Sequence, residues 1–271
     1  MGKIVLISGA SSGMGKETAI LLAQNGYKVY GCARRIERMQ DLISFGITPI
    51  RMDVTDEASM TQGVNQILQK EDRIDILINN AGFGAFGAFE DVSMKDAKYQ
   101  MEVNVFGAAR LTQLVLPQMR QNKFGKIINI SSIGGTMAFP FGSWYHASKF
   151  ALEALSDSLR NEVKPFGVDV VVIEPGGVKS EWADIALGNM QKNSRDSAYA
   201  ELGDKVAQVL TATIDKNAEP SVIAELIKRA IEAKKPKARY LGGYMANATL
   251  IKLMRLLPDS WKDKLIMSQA K

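Results

Sequence analysis

Tyr145 and Lys149 stand four residues apart in Tyr-His-Ala-Ser-Lys, and Ser132 lies thirteen residues before the tyrosine. A phenol has a reference pKa of about 10, which makes it a poor proton shuttle near neutrality. A lysine one helical turn away shares its face. Its positive charge favours the phenolate, which predicts a lowered tyrosine pKa. A serine hydroxyl delivered from elsewhere can hydrogen-bond the same reacting oxygen. The three residue types describe an acid/base site for an alcohol or a carbonyl. A Tyr-x-x-x-Lys pair is ordinary on helix surfaces, so the elements around it carry the weight.

The chain opens with an apolar run, Lys3 to Ser8, suited to a buried parallel strand. Gly9-Ala10-Ser11-Ser12-Gly13-Met14-Gly15 follows, then an amphipathic helical pattern from Lys16 to Ala23, with Gly26 as its C-cap. Strand, glycine turn and helix in that order form a dinucleotide cradle. The backbone approaches a pyrophosphate closely, and the helix N-terminus faces its charge. Further strands are predicted near 28–33, 48–53, 74–79, 125–131 and 168–173, with a short seventh around Ala238 to Leu241. Helical patterns lie between them. This alternation predicts an α/β fold, a doubly wound, Rossmann-like parallel sheet of about seven strands with helices on both faces in three αβα layers. Right-handed crossovers place every strand C-terminus on one edge, where open α/β sheets bind ligands.

Composition narrows the classes. At 271 residues and 46% hydrophobic, the chain suits one domain spanning 1–271. It lacks eighteen uninterrupted apolar residues, so no transmembrane helix is expected, and its first residues lack a secretory pattern. A cytoplasmic location is expected. One cysteine, Cys32, excludes an internal disulfide and reads as a small hydrophobe. With one histidine as well, no metal site is expected. The net charge of +5 helps an anionic cofactor approach and argues no nucleic-acid binding. The basic run from Lys228 to Arg239 reads as the solvated face and end of a helix.

The glycine spacing is Gly-x-x-x-Gly-x-Gly. Together with Asn79-Asn80-Ala81-Gly82, Ser132, Tyr145/Lys149 and Pro175-Gly176, it resembles the short-chain dehydrogenase/reductase family. The likeness runs in order from about residue 3 to about residue 180. It implies that Tyr145 exchanges a proton with the substrate oxygen. Lys149 bonds the nicotinamide ribose and lowers the tyrosine pKa, and Ser132 orients the substrate and stabilises the developing alkoxide. Asn104 matches the fourth catalytic residue, which holds a water linking Lys149 to solvent, often at a helix distortion. Gly9, Ser11, Ser12, Gly13, Met14 and Gly15 match the pyrophosphate turn. Asn80, Ala81 and Gly82 lie along the adenosine ribose, and Asn79 is a scaffold residue. Asp53 and Val54 reach the adenine, a reading that ranks above the alternative in which Asp53 caps the helix starting near Asp56. Pro175, Gly176 and Val178 flank the nicotinamide, and Ser180 touches the pyrophosphate.

The second strand ends at Ala33, where an acidic residue would bond both ribose hydroxyls of NAD, and Arg34 follows. A guanidinium fits a 2′-phosphate in two-pronged fashion, so NADP(H) is expected over NAD(H). The glycine turn carries no basic residue before Gly13.

Phe83, Phe86, Phe139, Phe141, Trp144 and Trp182 surround the expected pocket and suggest a hydrophobic alcohol or ketone, lipid- or steroid-like. Residues 181–215 resemble the family's mobile substrate lid. His146 points away from the Tyr145 face and reads as a packing or surface residue. A helical tail over 244–271 is dense in apolar residues. It covers the pocket, packs on a partner subunit or rests on a membrane surface as a peripheral contact. Ala147, Ala151, Ala154 and Ser158 form a small-residue stripe that suits a homodimer or homotetramer. Two other readings compete. One is a nucleotide-sensing regulatory protein without turnover, and the other is a sugar epimerase or dehydratase.

Overall fold

The computed structural model describes residues 2–268. Seven strands build its sheet: β1 (Ile4–Ser8), β2 (Lys28–Ala33), β3 (Thr48–Arg51), β4 (Ile76–Asn79), β5 (Gly125–Ile130), β6 (Val168–Pro175) and β7 (Arg239–Gly242). All neighbours pair in parallel, in the order β3-β2-β1-β4-β5-β6-β7. The strand order reverses between β1 and β4, so a ligand crevice opens there, outside the carboxyl ends.

The strands alternate strictly between two cores, because successive side chains point to opposite faces of a sheet. Val5, Ile7, Ile76, Ile78, Ile128, Ile130, Val171 and Ile173 lie on one face. There they meet Ala19 and Leu22 of α1 (Gly13–Gln24), and Ile223 and Ile227 of α8 (Pro220–Glu232). Ile4, Leu6, Leu77, Ile127 and Val170 lie on the other face. Their partners include Met60, Val64 and Ile67 of α2 (Glu57–Glu71), and Leu111, Val115 and Met119 of α4 (Gly107–Gln121). The near-continuous apolar strands therefore serve two cores at once.

A helical stretch begins at Ser93, whose hydroxyl accepts from the Asp96 amide. It runs as α3 (Met94–Met101), a π-helical turn (Glu102–Phe106) and then α4. The expected distortion around Asn104 is thus present. α5 (Ser143–Val163) starts two residues before Tyr145 and continues as a 3-10 turn over Lys164–Phe166. Of its periodic apolar residues, Leu152 and Val163 are buried, but Leu155 is exposed. α6 (Glu181–Ser194) and α7 (Ala200–Thr211) fill the segment expected as a lid. α9 (Ala248–Leu256) and α10 (Asp259–Ser268) form the tail. α9 buries Ile251 and Met254, whereas α10 buries none of its residues. The last three residues of the expected tail lie outside the described ones. Among the described residues, no helix is long and apolar enough to cross a membrane.

Arg239 departs from the expectation of a solvated basic run. It lies on β7 and ion-pairs Glu153 at 2.9 Å, Asp157 at 2.8 Å and Glu174 at 3.4 Å. Glu153 and Glu174 are buried, so their charge requires a cation, and β7 carries it to them.

Candidate active site

β1 ends at Ser8, and the glycine turn follows. Ser12 is extended, and its side chain makes no capping hydrogen bond to α1. The first turn of α1 also holds no acidic residue. Its leading amides therefore present uncompensated positive charge at the sheet edge, which suits a phosphate. Gly15 is sterically required. A Cβ there would lie 2.4 Å from both the Gly9 carbonyl and the Asn80 side chain. Ser180 lies on the far rim, 3.5 Å from where a Gly13 Cβ would sit.

The turn is held from β4. Asn80 donates its side-chain amide to the Ser8 and Gly9 carbonyls at 3.0 and 3.1 Å. The Ser8 hydroxyl accepts from the Asn80 and Ala81 amides, each at 3.0 Å. Asn79 is buried and donates to Thr112 at 3.1 Å and Asn129 at 2.8 Å, and Asn129 donates to Ser156 at 2.8 Å. The scaffold role of Asn79 is thus accounted for, and Asn80 shares it through its side chain. Ser8, Thr112, Asn129 and Ser156 carry no local signal, because their partners lie 27 to 73 residues away.

The helix cap near Asp56 belongs to Asp56 itself, which accepts from Ala58 and Ser59. Asp53 Oδ1 accepts from the Thr55 amide at 2.9 Å and the Thr55 hydroxyl at 2.8 Å. The Asp53 carboxylate is thereby held by its own loop rather than spent on the helix cap. Val54 packs beside Gly107, at the start of α4. Arg34, exposed at the end of β2, hydrogen-bonds the Tyr99 hydroxyl and lies over its ring at 5.9 Å.

Ser132, at the end of β5, is hydrogen-bonded to the Tyr145 phenol. Its Oγ also accepts from the Gly134 amide at 3.0 Å. Lys149 is buried beneath, with Nζ 5.9 Å from the centre of the Tyr145 ring. It donates to the Ile130 carbonyl at 2.8 Å. The three residues therefore converge as their spacing predicts. Their electrostatics do not match the prediction. Burial pushes the tyrosine phenol up to about 12, against the lowering effect of the Ser132 hydrogen bond. Burial also pushes Lys149 down to about 8, against the raising effect of Glu153. The desolvation of both groups outweighs the expected pull of the ammonium.

Asn104 sits in the π-helical turn, fully engaged. Its Oδ1 accepts from the Phe83 amide at 2.8 Å. Its Nδ2 donates to the Phe83 carbonyl at 2.8 Å and to Ser148 at 2.9 Å. The side chain thus ties the loop after β4 to α5. A Cβ on Gly82 would lie 3.8 Å from Asn104 Oδ1 and 3.9 Å from Lys149 Nζ.

β6 leads through Pro175 into Gly176 and Gly177, which donate to the Gly242 and Tyr244 carbonyls at 2.8 Å each. Val178 is buried beside them. These contacts fix the segment at the edge next to Ser132, whose hydroxyl approaches the Pro175 carbonyl at 3.5 Å.

Phe86 lies 5.3 Å from the Tyr145 ring. It packs with Phe141, Met190 and Leu187 in a cluster that α6 and α7 cover. Phe83 and Trp144 join a second cluster with Val92, and Phe139 packs on His146 at 5.7 Å. The side chain of Trp182 lies outside the described residues. Between α6 and α7 a cavity of about 400 Å³ has more polar walls, including Gln191, Ser194, Arg195 and Asp204. His146 is buried, which removes the surface alternative. Cys32 is buried too, its thiol pushed up to about 12 by desolvation. Among the described residues, no cluster of histidine, cysteine or acidic side chains could hold a metal ion.

A three-layer αβα fold with a phosphate-binding turn at its switch point, and a serine, tyrosine and lysine at the same edge, defines a class of nucleotide-dependent enzymes. The family model described as short chain dehydrogenase matches residues 3–191, and the chain belongs to the short-chain dehydrogenase/reductase family of oxidoreductases. It is 38% identical over 262 residues to a probable short-chain type dehydrogenase/reductase, VdlC, of Helicobacter pylori, covering 97% of this chain and 96% of that one. It is 36% identical over 261 residues to the 3-ketodihydrosphingosine reductase of Bacteroides thetaiotaomicron, covering 95% and 94%. A short-chain dehydrogenase of Streptomyces avermitilis shares its structure with a TM-score of 0.81 at 33% identity, covering 98% and 95%. Solved neighbours include one complexed with NADP+ and another in complex with NAD.

Proposed function

We propose that this protein interconverts a carbonyl and a secondary alcohol on a hydrophobic substrate, using NADP(H), with Tyr145 exchanging the proton. The observation that carries this reading is the convergence of Ser132, Tyr145 and Lys149 beside the uncapped N-terminus of α1. A nucleotide sensor has no need of that trio.

The cradle fits a dinucleotide. Gly9, Ser11, Ser12, Gly13, Met14 and Gly15 would receive the pyrophosphate, with Ser180 across from Gly13. Asn80, Ala81 and Gly82 would flank the ribose, Asp53 and Val54 the adenine, and Pro175, Gly176 and Val178 the nicotinamide. When bound, the nicotinamide supplies or accepts a hydride. The protein's own residues handle the proton and the developing charge. A phenol held near 12 stays protonated at neutral pH, which suits it to donate to a carbonyl oxygen. Ser132, hydrogen-bonded to that phenol, is placed to bond the same oxygen and stabilise it as charge develops. In the alcohol-oxidising direction the phenol must first lose its proton, and Lys149 below the ring favours that loss when charged.

Arg34 supports NADP(H). It is exposed at the end of β2, where Ala33 offers no carboxylate to a ribose diol. Phe86, next to Tyr145, and Phe141, packed with it under α6 and α7, support an apolar substrate. The sphingoid-ketone activity named for the Bacteroides relative agrees with a lipid-like ketone. Exposed Ala147, Ala154, Ser158, Phe150 and Leu155 on α5 support self-association through that helix. NADPH consumption over a panel of hydrophobic ketones, aldehydes, diketones and polar sugars tests the reading. Hydrophobic carbonyls should be reduced fastest. Preference for sugars would overturn the substrate class.

A further inference from the structure

His146 is the chain's single histidine, and the reaction just described gives it no part. It is 5% exposed, next in sequence to Tyr145, with ring centroids 5.6 Å apart. Its Nδ1 lies 2.9 Å from the Gly134 carbonyl oxygen. A carbonyl only accepts, so Nδ1 carries the proton and donates. Nε2 is then the lone-pair nitrogen of a neutral ring, and it is buried without a hydrogen-bond partner. Burial holds the imidazole below its ordinary range, against the raising effect of the Gly134 bond, so the neutral donor persists. Glycine at 134 and 142 makes room for the ring. A Cβ at those positions would lie 2.8 Å from Nδ1 and 2.7 Å from Nε2.

Gly134 is the link. Its carbonyl is held by His146, and its amide donates to Ser132 Oγ at 3.0 Å. Ser132 is hydrogen-bonded in turn to Tyr145. The circuit from Tyr145 through Ser132, Gly134 and His146 closes on α5 itself. A serine hydroxyl has one proton and two lone pairs. With one lone pair fixed by Gly134, the proton and the other lone pair are left for Tyr145, the substrate oxygen and the Pro175 carbonyl 3.5 Å away.

We propose that His146 is a positioning residue, holding Ser132 in register with Tyr145 through the Gly134 peptide. The proposal rests on the reading of Ser132 and Tyr145 as the reacting pair.

The test compares three substitutions in the full-length protein, assayed with NADPH and the fastest ketone of the panel. His146→Asn places an amide donor near the Nδ1 position. His146→Gln places it near Nε2, and His146→Leu removes it. Misplacing a catalytic group by about 1 Å costs up to about 100-fold. His146→Leu and His146→Gln should therefore lose about 10- to 100-fold in kcat with the coenzyme KM unchanged, and His146→Asn should recover to within about threefold. Equal losses in all three, or full kcat in His146→Leu, would overturn the proposal. A second readout needs neither substrate nor variant. With one histidine, the imidazole nitrogen resonances of the native protein are unambiguous. They should show a neutral ring protonated at Nδ1, and a ring protonated at Nε2 would equally overturn it. Tyr145→Phe separates the two readings. If it keeps its turnover, the proposed reaction falls, whatever His146 does. If it is inactive while His146→Leu is fully active, only the role of His146 falls.

Discussion

Lys149 holds its ammonium 5.9 Å from the centre of the Tyr145 ring, yet donates its hydrogen bond to the Ile130 carbonyl at 2.8 Å. The pair is stacked rather than joined through the phenolic oxygen. The lysine is thus a buried cation, and burial lowers its pKa to about 8.

That has a consequence for stability. Between about pH 8 and the ordinary lysine range near 10.5, the unfolded chain binds a proton at Lys149 that the folded protein does not. Stability attributable to this residue therefore rises with pH across that window, and is lowest below pH 8. Lys149→Met should raise Tm at pH 7 by about 2–8 °C while abolishing turnover. Its advantage over the native protein should shrink between pH 8 and 10. Differential scanning calorimetry across that range checks it.

The direction of reaction should set the pH profile. Carbonyl reduction uses the protonated phenol, which is plentiful at any pH well below 12. Alcohol oxidation needs the proton removed. Its kcat/KM should climb from pH 6 towards 8, the range in which Lys149 is mostly charged, while that of reduction does not. Steady-state kinetics in both directions measure the contrast.

Arg34 should decide the coenzyme. A hydrogen bond to a charged group contributes about 1.5–3 kcal/mol. Arg34→Ser should therefore lower kcat/KM for NADPH by about 10- to 100-fold and leave NADH within about threefold. Equal losses with both coenzymes would point to a general role for the residue. The ratio of the two rates is the measurement.

Arg239 should be structural. Removing it breaks the ion pairs to the buried Glu153 and Glu174. Arg239→Leu should destabilise the fold by about 3–5 kcal/mol in urea denaturation, the amount typical of a broken buried ion pair.

The sheet was legible because short continuous apolar runs, such as Ile4 to Ile7, alternate with helical patterns, and both signals are local. Gly9 to Gly15, Ser132, Tyr145 and Lys149 were legible for the same reason. Each sits at a strand end or one helical turn from its partner. Residues whose role depends on a distant neighbour were not legible. Arg239 read as solvated because Glu153 and Glu174 are 86 and 65 positions away. The Tyr145 pKa was misjudged because a helical spacing reports which charge is near, but not how much water both groups lose. His146 departs from the expectation of pointing away from Tyr145, since the two rings meet edge-on at 5.6 Å. Its burial depended on where the Gly134 turn falls, which α5 does not encode.

The central claim is that Tyr145 exchanges the proton. The most direct measurement is NADPH consumption by Tyr145→Phe with the fastest hydrophobic ketone, beside coenzyme binding by fluorescence. Turnover should fall by about 10²- to 10⁴-fold, with the dissociation constant for NADPH changed less than about twofold. Turnover within threefold of the native protein would contradict the account.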